Sequence, residues 1–380
     1  MEAEKYLRIF PQSQVENVHW YGRNGAENGE RAIFWTAGGF AVLSSAREIW
    51  AEIEADYEEQ APWAIVFVNG AAVSRFCLEK GKRWYLLFRG NGGEKPCKIE
   101  LLKDTQAMPN DNLHCFLIHS LGVPRSFSGE PFLRLPDFIS KIEFIGDSIT
   151  TGEGLAGSPI EDVWGSAWIS LRDNYALLTS RAMNADFRFL SQSGWGVLAG
   201  WDNDRTTVLP PHYESVCSVM NGARQVKMGA KNANDFASWK PDFVVVNLGT
   251  NDVGAFNSPA KIASDGTVQK LRLDADGKPN ADDLSLFLGA VKDFLSKIRR
   301  NNPASHIVWA YGMCSFSLGE EIAGAVRDFA RETLDNRVSF VRLPSMAEES
   351  EDEKGALNHP SAATHKRAAK VLIAHLKSLE

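Results

Sequence analysis

The stretch FIGDSITTGEG, residues 144–154, decides the fold of this chain. The apolar run at 142–145 has the composition of a buried strand, and the glycine after it permits a tight turn. Ser148 then stands at the carboxyl end of the strand, where open parallel sheets place their ligands. Backbone N–H groups just beyond such a strand can point at a developing negative charge. The stretch therefore predicts an α/β domain with a nucleophilic serine.

Two further segments support this prediction. VVVNLGTNDVG (244–254) is a second buried-type strand, and it leads into the polar cluster TND. LNHPSAATH (357–365) places a histidine before a proline that can begin a helix. A serine, an amide and a histidine at such positions suit acyl transfer, because a serine hydroxyl needs a base to take its proton. Asp147 and Asp252 flank these positions and are interpreted as structural hydrogen-bond acceptors.

These blocks, in this order, resemble those of the SGNH (GDSL-type) hydrolases. The similarity is closer still to carbohydrate esterase family two, which joins an N-terminal β-sandwich to an SGNH domain. IEFIGDSIT, the SGWG turn within 191–196 and the early segment WYGRN (20–24) carry that similarity. The resemblance implies four functional positions, which are Ser148, Gly194, Asn251 and His359.

The resemblance also implies a role for each position. Ser148 is the expected nucleophile and His359 its base. The backbone N–H groups of Ser148 and Gly194 and the side-chain amide of Asn251 form the expected oxyanion hole. One such donor typically lowers the barrier by about 3–4 kcal/mol. Trp195, between two glycines, is the expected substrate-facing ring, and its bulk is expected to limit the length of the acyl group.

One part of the family pattern is missing. Many SGNH enzymes carry an Asp two or three residues before the histidine, and this chain has Leu357 and Ala356 there. Asp352 and Glu353 are the nearest acids. A backbone carbonyl can accept the imidazole Nδ1–H and fix the tautomer. We therefore predict that a carbonyl, and not a carboxylate, orients His359.

Composition limits the remaining function classes. The chain has 380 residues, so two domains are expected. Its net charge of −7 argues against nucleic acid and anionic membranes as partners. No apolar stretch approaches the ~18 residues of a membrane span. The N-terminus has no secretory pattern, which predicts a cytoplasmic location. The five cysteines lack metal-binding spacing, and neither a metal nor another cofactor is expected.

The pattern of predicted secondary structure changes near residue 135. Residues 1–135 read as short β segments separated by turns, including one at 91–93, which predicts an all-β, jelly-roll-like sandwich as an accessory domain. The acidic stretch 48–59 is interpreted as a helical or strand-edge insertion.

Residues 136–380 alternate strand and helix, with one helix expected over 166–183. This pattern predicts a parallel sheet with helices on both faces, the three-layer α/β/α fold of an SGNH domain. The irregular, aromatic segment 200–240 is expected to form part of the site wall.

The expected reaction is ester hydrolysis in two steps through an acyl-enzyme on Ser148. The resemblance implies the substrate class, which is O-acetyl groups on sugars or on plant polysaccharide fragments such as acetylated xylan. Two alternatives stay open: a lysophospholipase or thioesterase on the same fold, and a carbohydrate-binding protein with weak catalysis. Homo-oligomerisation also stays open.

Overall fold

The protein divides into two compact units. The structure is a computed structural model that describes residues 5–90, 95–346 and 353–380. The β unit comprises Met1–Phe138, Gly165–Ala167 and Glu214–Asn234, and the α/β unit comprises Ile139–Trp164, Trp168–Tyr213 and Asp235–Glu380. The sequence analysis placed a single boundary between residues 135 and 136. The turn predicted at 91–93 lies outside the described residues.

Antiparallel strands build the β unit. In the described part of the chain they are β1 (Leu7–Pro11), β2 (His19–Tyr21), β3 (Asn24–Glu27), β4 (Glu30–Ile33), β5 (Gly39–Ser44), β6 (Glu48–Asp56), β7 (Trp63–Val68), β8 (Ala71–Cys77), β9 (Gly81–Arg89), β10 (Cys97–Lys103) and β11 (Cys115–Pro124). One sheet contains the order β4-β11-β6-β9 and the other the order β5-β10-β7-β8. Strands β1, β2 and β3 extend these sheets. This is the strand order of an eight-stranded jelly roll, and the predicted sandwich is confirmed.

The acidic stretch at 48–59 is not an insertion, and that expectation is wrong. Strand β6 lies inside its sheet, between β11 and β9. Every second side chain faces the core, namely those of Ile49, Ala51, Ile53 and Ala55. The acids of the opposite face pair with cations, Glu48 with Arg89, Glu52 with Lys82 and Glu54 with Arg224. Core-facing and charged residues alternate along this strand, which is the two-residue period of a half-buried strand. The many acidic residues made that alternation hard to recognise in the sequence.

The segment Glu214–Asn234, within the stretch 200–240 that was predicted to form part of the site wall, packs with the β unit. It contains the short helix α3 (Ala223–Lys227). The Trp35 indole donates to the carbonyl of Val216 at 2.7 Å, and the Arg23 guanidinium donates to that of Ser215 at 2.9 Å. These long-range hydrogen bonds explain why the segment joins the sandwich.

A parallel sheet forms the centre of the α/β unit. Its strands are β12 (Ser140–Gly146), β13 (Ala185–Ser191), β14 (Phe243–Asn247), β17 (His306–Tyr311) and β18 (Val338–Arg342), and β15 (Lys261–Ile262) and β16 (Val268–Gln269) form a separate hairpin. The order is β13-β12-β14-β17-β18. The direction of winding reverses between β12 and β14, and open α/β sheets bind ligands at such a point.

Helices connect these strands. They are α1 (Ser148–Thr151), α2 (Tyr175–Ala182), α4 (Thr250–Asn257), α5 (Ala281–Asn301), α6 (Gly319–Thr333) and α7 (Ala362–Lys377). Helix α2 packs against α7, and α5 packs against α6. Right-handed crossovers on either side of the reversal place these two pairs on opposite faces. The predicted three-layer fold is confirmed. Within the described residues, no helix is both long and apolar enough to span a membrane.

The helix predicted over 166–183 is shorter in the structure. Its regular part begins at Tyr175, because Asn174 caps it by accepting hydrogen bonds from the N–H groups of Ala176 and Leu177. Asp173 has a left-handed backbone with φ of 64°, which no helix can continue through.

A buried histidine joins α2 to α7. His365 is fully buried, and its Nδ1 accepts a hydrogen bond from the N–H of Tyr175 at 3.0 Å. Burial lowers the pKa of His365 to about 3. The ring therefore stays neutral in the folded protein at pH values where an unfolded chain would bind a proton.

We expect acid to destabilise the protein through this ring. An unfolded histidine has a pKa of about 6.5, so the stabilisation is complete above that pH and is lost as the pH falls toward 3. Between pH 7 and pH 5 the loss should reach about 2 kcal/mol. His365→Gln should lose correspondingly less over that interval in urea unfolding. Between pH 7 and pH 8 the two proteins should behave alike, and equal losses between pH 7 and pH 5 would contradict the assignment.

Candidate active site

Strand β12 delivers Ser148 to the carboxyl edge of the sheet. The strand ends at Gly146, and Asp147 caps α1 by accepting the N–H of Ile149 at 3.0 Å. A Cβ at Gly146 would lie 2.0 Å from the Thr150 Oγ1, so only glycine fits this close turn. Ser148 is the first residue of α1, and 7% of it is exposed.

His359 contacts Ser148 directly. Its Nε2 lies 2.8 Å from the Ser148 Oγ, and its Nδ1 lies 3.0 Å from the carbonyl oxygen of Leu357. A carbonyl only accepts hydrogen bonds, so Nδ1 carries the proton and Nε2 is free to accept the serine hydroxyl. The hydrogen bond to a backbone carbonyl that the sequence predicted is present.

An unusual turn aims that carbonyl. Leu357 and Asn358 both have left-handed backbones, with φ of 55° and 56°. Such a conformation costs roughly 1–2 kcal/mol for a residue other than glycine. The N–H of Leu357 donates to the carbonyl of Glu161 at 2.9 Å, which holds the turn. A Cβ at Gly154 would lie 2.6 Å from the Cβ of His359, so this approach also requires glycine.

One carboxylate near His359 was missed by the sequence analysis. The Oε1 of Glu153 lies 3.7 Å from Nδ1 of His359. The family pattern points only to acids within a few residues before the histidine. There, Glu353 is bound to Arg367 and Thr364, and Asp352 lies outside the described residues. The signal that could have found Glu153 is an acid between two glycines in the serine block.

The expected oxyanion donors lie around Ser148. In the described part of the chain, the backbone N–H groups of Ser148 and Gly194 have no protein acceptor. Nδ2 of Asn251 donates to the carbonyl of Trp195 at 2.8 Å and lies 3.4 Å from the Asp147 Oδ2. The amide thus bridges the residue before Ser148 and the residue after Gly194.

A buried carboxylate fixes the loop that carries Gly194. Asp252 accepts three backbone N–H groups at 2.7–2.9 Å, those of Val197, Leu198 and Ala199. A Cβ at Gly196 would lie 2.5 Å from the Asp252 Oδ2. Burial raises the pKa of Asp252 to about 6 and that of Asp147 to about 7. The prediction that both are hydrogen-bond acceptors is confirmed.

Two tryptophans near Gly194 differ in exposure. Trp195 is 8% exposed, and its ring centre lies 5.2 Å from that of His212. The substrate-facing role of Trp195 stays a prediction. Trp201 is 58% exposed, and its backbone N–H donates to the carbonyl of Gly194 at 3.2 Å. Sequence alone could not rank the two rings, because tertiary packing decides their exposure.

Within the described residues, no group of three or more His, Cys, Asp or Glu side chains could hold a metal ion. A serine in contact with a histidine, with unpaired N–H groups beside it, is the site of an α/β serine hydrolase.

Comparison with known proteins agrees with that class. Residues 144–367 match the GDSL-like Lipase/Acylhydrolase family, and the chain belongs to this family of ester hydrolases. An acetyl xylan esterase (Est2A) from the rumen bacterium Butyrivibrio proteoclasticus superimposes with a TM-score of 0.93 at 35% identity, over 98% of this chain and 99% of that one.

A family two carbohydrate esterase from Clostridium thermocellum, in complex with cellohexaose, shares the fold. Its TM-score is 0.75 at 23% identity, over 95% of this chain and 98% of that one. The predicted similarity to carbohydrate esterase family two is confirmed at the level of the fold. Among curated proteins, the cellulase/esterase CelE of Acetivibrio thermocellus is 27% identical over 245 residues, which is 63% of this chain. The match spans only 25% of CelE.

Removing the Asp252 carboxylate should slow ester hydrolysis without touching Ser148 or His359. Asp252→Ala leaves three N–H groups unpaired, two of them buried, and each buried one costs about 1–3 kcal/mol, so the loop that carries Gly194 should relax. We expect kcat for 4-nitrophenyl acetate to fall by roughly 30-fold, about 2 kcal/mol of barrier. The exposed Asp265, which caps its own turn, provides the control Asp265→Ala. A kcat for Asp252→Ala within threefold of wild type would show that the Asp252 carboxylate does not support the site.

Proposed function

We propose that this protein is a serine esterase that removes O-acetyl groups from sugars or plant polysaccharide fragments of the acetyl-xylan type. The observation that carries the proposal is the 2.8 Å contact between the Ser148 Oγ and His359 Nε2. The similarity to an acetyl xylan esterase over nearly the whole chain supports the substrate class.

In the first step the Ser148 Oγ attacks the acetyl carbonyl carbon while Nε2 of His359 takes the hydroxyl proton. The resulting oxyanion receives hydrogen bonds from the N–H groups of Ser148 and Gly194 and from Nδ2 of Asn251. Both Nδ2 hydrogens have protein acceptors, the carbonyl of Trp195 at 2.8 Å and the Asp147 Oδ2 at 3.4 Å, so the hydrogen in the longer bond is the one that turns to the oxyanion. The carbon–oxygen bond to the sugar then breaks, and His359 returns the proton to the sugar oxygen.

In the second step water attacks the acetyl-Ser148 ester. His359 takes one water proton, and the new carbon–oxygen bond gives a second tetrahedral oxyanion in the same hole. The bond to the Ser148 Oγ breaks, and the serine oxygen recovers the proton. The products are the free sugar hydroxyl and acetic acid, and Ser148 and His359 return to their starting states.

The exposed indole of Trp201 suits a sugar as the leaving group. Its backbone is hydrogen-bonded to Gly194, one of the proposed oxyanion donors. A ring that is 58% exposed can cover the apolar face of a pyranose. The buried Trp195, next to Gly194 in the chain, supports a limit on acyl length.

Hydrolysis of long-chain esters is a second candidate. Three apolar side chains are exposed close together in sequence, Ile160 at 86%, Val163 at 75% and Trp164 at 37%. The carbonyl of Glu161, among them, holds the turn before His359. A long acyl chain could pack on such a surface, and the acyl group that the enzyme prefers distinguishes the two candidates.

Ser148→Ala and His359→Ala should each lower kcat by about 10⁴-fold or more, because nucleophile and base act as a unit. Hydrolysis of 4-nitrophenyl acetate measures the loss. Glu353→Ala should cost less than about tenfold, under ~1.4 kcal/mol of barrier. Its carboxylate is already paired with Arg367. A loss for Glu353→Ala as large as that for His359→Ala would make Glu353 part of the reacting group.

The acyl group should decide the substrate class. On 4-nitrophenyl esters, kcat/KM for the acetate should exceed that for the octanoate by roughly 100-fold, about 2.7 kcal/mol. Trp201→Ala should keep the acetate rate within threefold while lowering kcat/KM on acetylated xylo-oligosaccharides by about tenfold. Trp164→Ala is the matched control, which should change neither. A preference for octanoate that Trp164→Ala abolishes would favour the long-chain candidate instead.

A further inference from the structure

We infer that Glu153 is a positioning residue for the reaction proposed above: it supplies the negative charge that stabilises the protonated His359 ring. The inference rests on the proposed function and assigns the missing charge to a segment that precedes the histidine by more than half the chain. The backbone carbonyl of Leu357 supplies direction, and Glu153 supplies charge.

The contact itself is electrostatic. The Glu153 Oε1 lies 3.7 Å from the His359 Nδ1, beyond hydrogen-bond distance. Nδ1 already donates to the Leu357 carbonyl at 3.0 Å. The side chain of Glu153 is 6% exposed, and its Oε2 is buried without a hydrogen-bond partner among the described residues. An orphaned carboxylate oxygen is costly inside a protein, so its presence beside the reacting ring requires an explanation.

The backbone fixes the position of this carboxylate. The N–H of Glu153 donates to the carbonyl of Ser148 at 2.9 Å, and Glu153 forms an antiparallel bridge with Ile169. Gly152 and Gly154, on either side, have φ of 93° and 82°, a conformation that favours glycine. The same turn that follows the nucleophile therefore fixes where the Glu153 side chain begins.

The charges around Glu153 leave His359 as its cation. Asp147, at the start of α1, and Cys314, after β17, also interact with it electrostatically. A carboxyl and a thiol are neutral or negative, so neither offers a positive charge, and burial raises the pKa of both groups. Among the described residues, His359 is the group within ion-pair distance of Glu153. In the proposed reaction, His359 becomes positively charged when it takes the proton of the serine or of water.

This makes the stabilisation specific to the reaction. The resting ring is neutral, and the ring near each tetrahedral intermediate is an imidazolium. A carboxylate a few ångströms away, shielded from water, stabilises the second state more than the first. Glu353 offers a contrast, because its charge is neutralised by Arg367.

The test compares pH profiles of kcat and KM for 4-nitrophenyl acetate. Glu153→Gln keeps the shape and removes the charge, and we expect kcat to fall about 10- to 30-fold with KM within threefold. The acidic limb of the profile should move by about half a pH unit or more to lower pH, because the ring proton is less stabilised. Glu153→Asp should recover most of the wild-type kcat and most of the wild-type position of the acidic limb. Glu353→Gln is the control, and the acidic limb of its pH profile should lie at the same pH as that of the wild-type protein.

Three results would overturn the inference. One is a Glu153→Gln protein with the kcat and limb of wild type. Another is a lower kcat with an unmoved limb and no restoration in Glu153→Asp, which indicates a structural role. If Glu153→Gln does not fold, Glu153→Ala is assayed with sodium formate, which should restore kcat where sodium chloride does not. Failure of formate to do so would also overturn the inference. A wild-type protein no faster than Ser148→Ala would instead overturn the proposed function.

Discussion

The parallel pairing of β12 with its two neighbours is the constraint on which the site depends. Gly146 lies opposite Ser191 on one side and Asn247 on the other, so three strands end at one level. The strand order reverses at this point, so the connections that follow β12 and β14 run in opposite directions across the sheet. No crossover therefore covers the segments that follow these strand ends. The positions reached two, three and four residues beyond these strand ends are Ser148, Gly194 and Asn251.

The buried acids near Ser148 are stabilised differently from those on strand β6. On β6 of the jelly roll Glu48, Glu52 and Glu54 each pair with a cation. In the α/β unit Asp252 is balanced by backbone N–H groups, and Glu153 has a partly buried histidine as its ion-pair partner. Burial without a cation raises the pKa of Asp147 and Asp252 and lowers the stability of the fold. Enzymes commonly carry such destabilising features where the chemistry takes place.

Sequence predicted the features that local pattern determines. The strand–helix alternation gave the parallel sheet, and the serine and histidine blocks predicted two side chains that lie 2.8 Å apart in the structure. Features that depend on contacts between residues far apart in the sequence could not be predicted. The exposure of Trp201 and the burial of Trp195 depend on packing. The segment Glu214–Asn234 joins the β unit through hydrogen bonds to residues far away in sequence.

In the proposed mechanism, direction and charge reach the histidine from separate segments. A single Asp before the histidine would combine a hydrogen-bond acceptor with a negative charge. Here the left-handed turn at Leu357 points a neutral carbonyl at Nδ1, and Glu153 approaches the same atom without bonding to it. The N–H of Leu357 donates to the carbonyl of Glu161, and Gly154 lies against the His359 Cβ, so the serine block and the following loop support both parts. A side chain at 357 is therefore free to be apolar, because its backbone does the orienting and the charge comes from elsewhere.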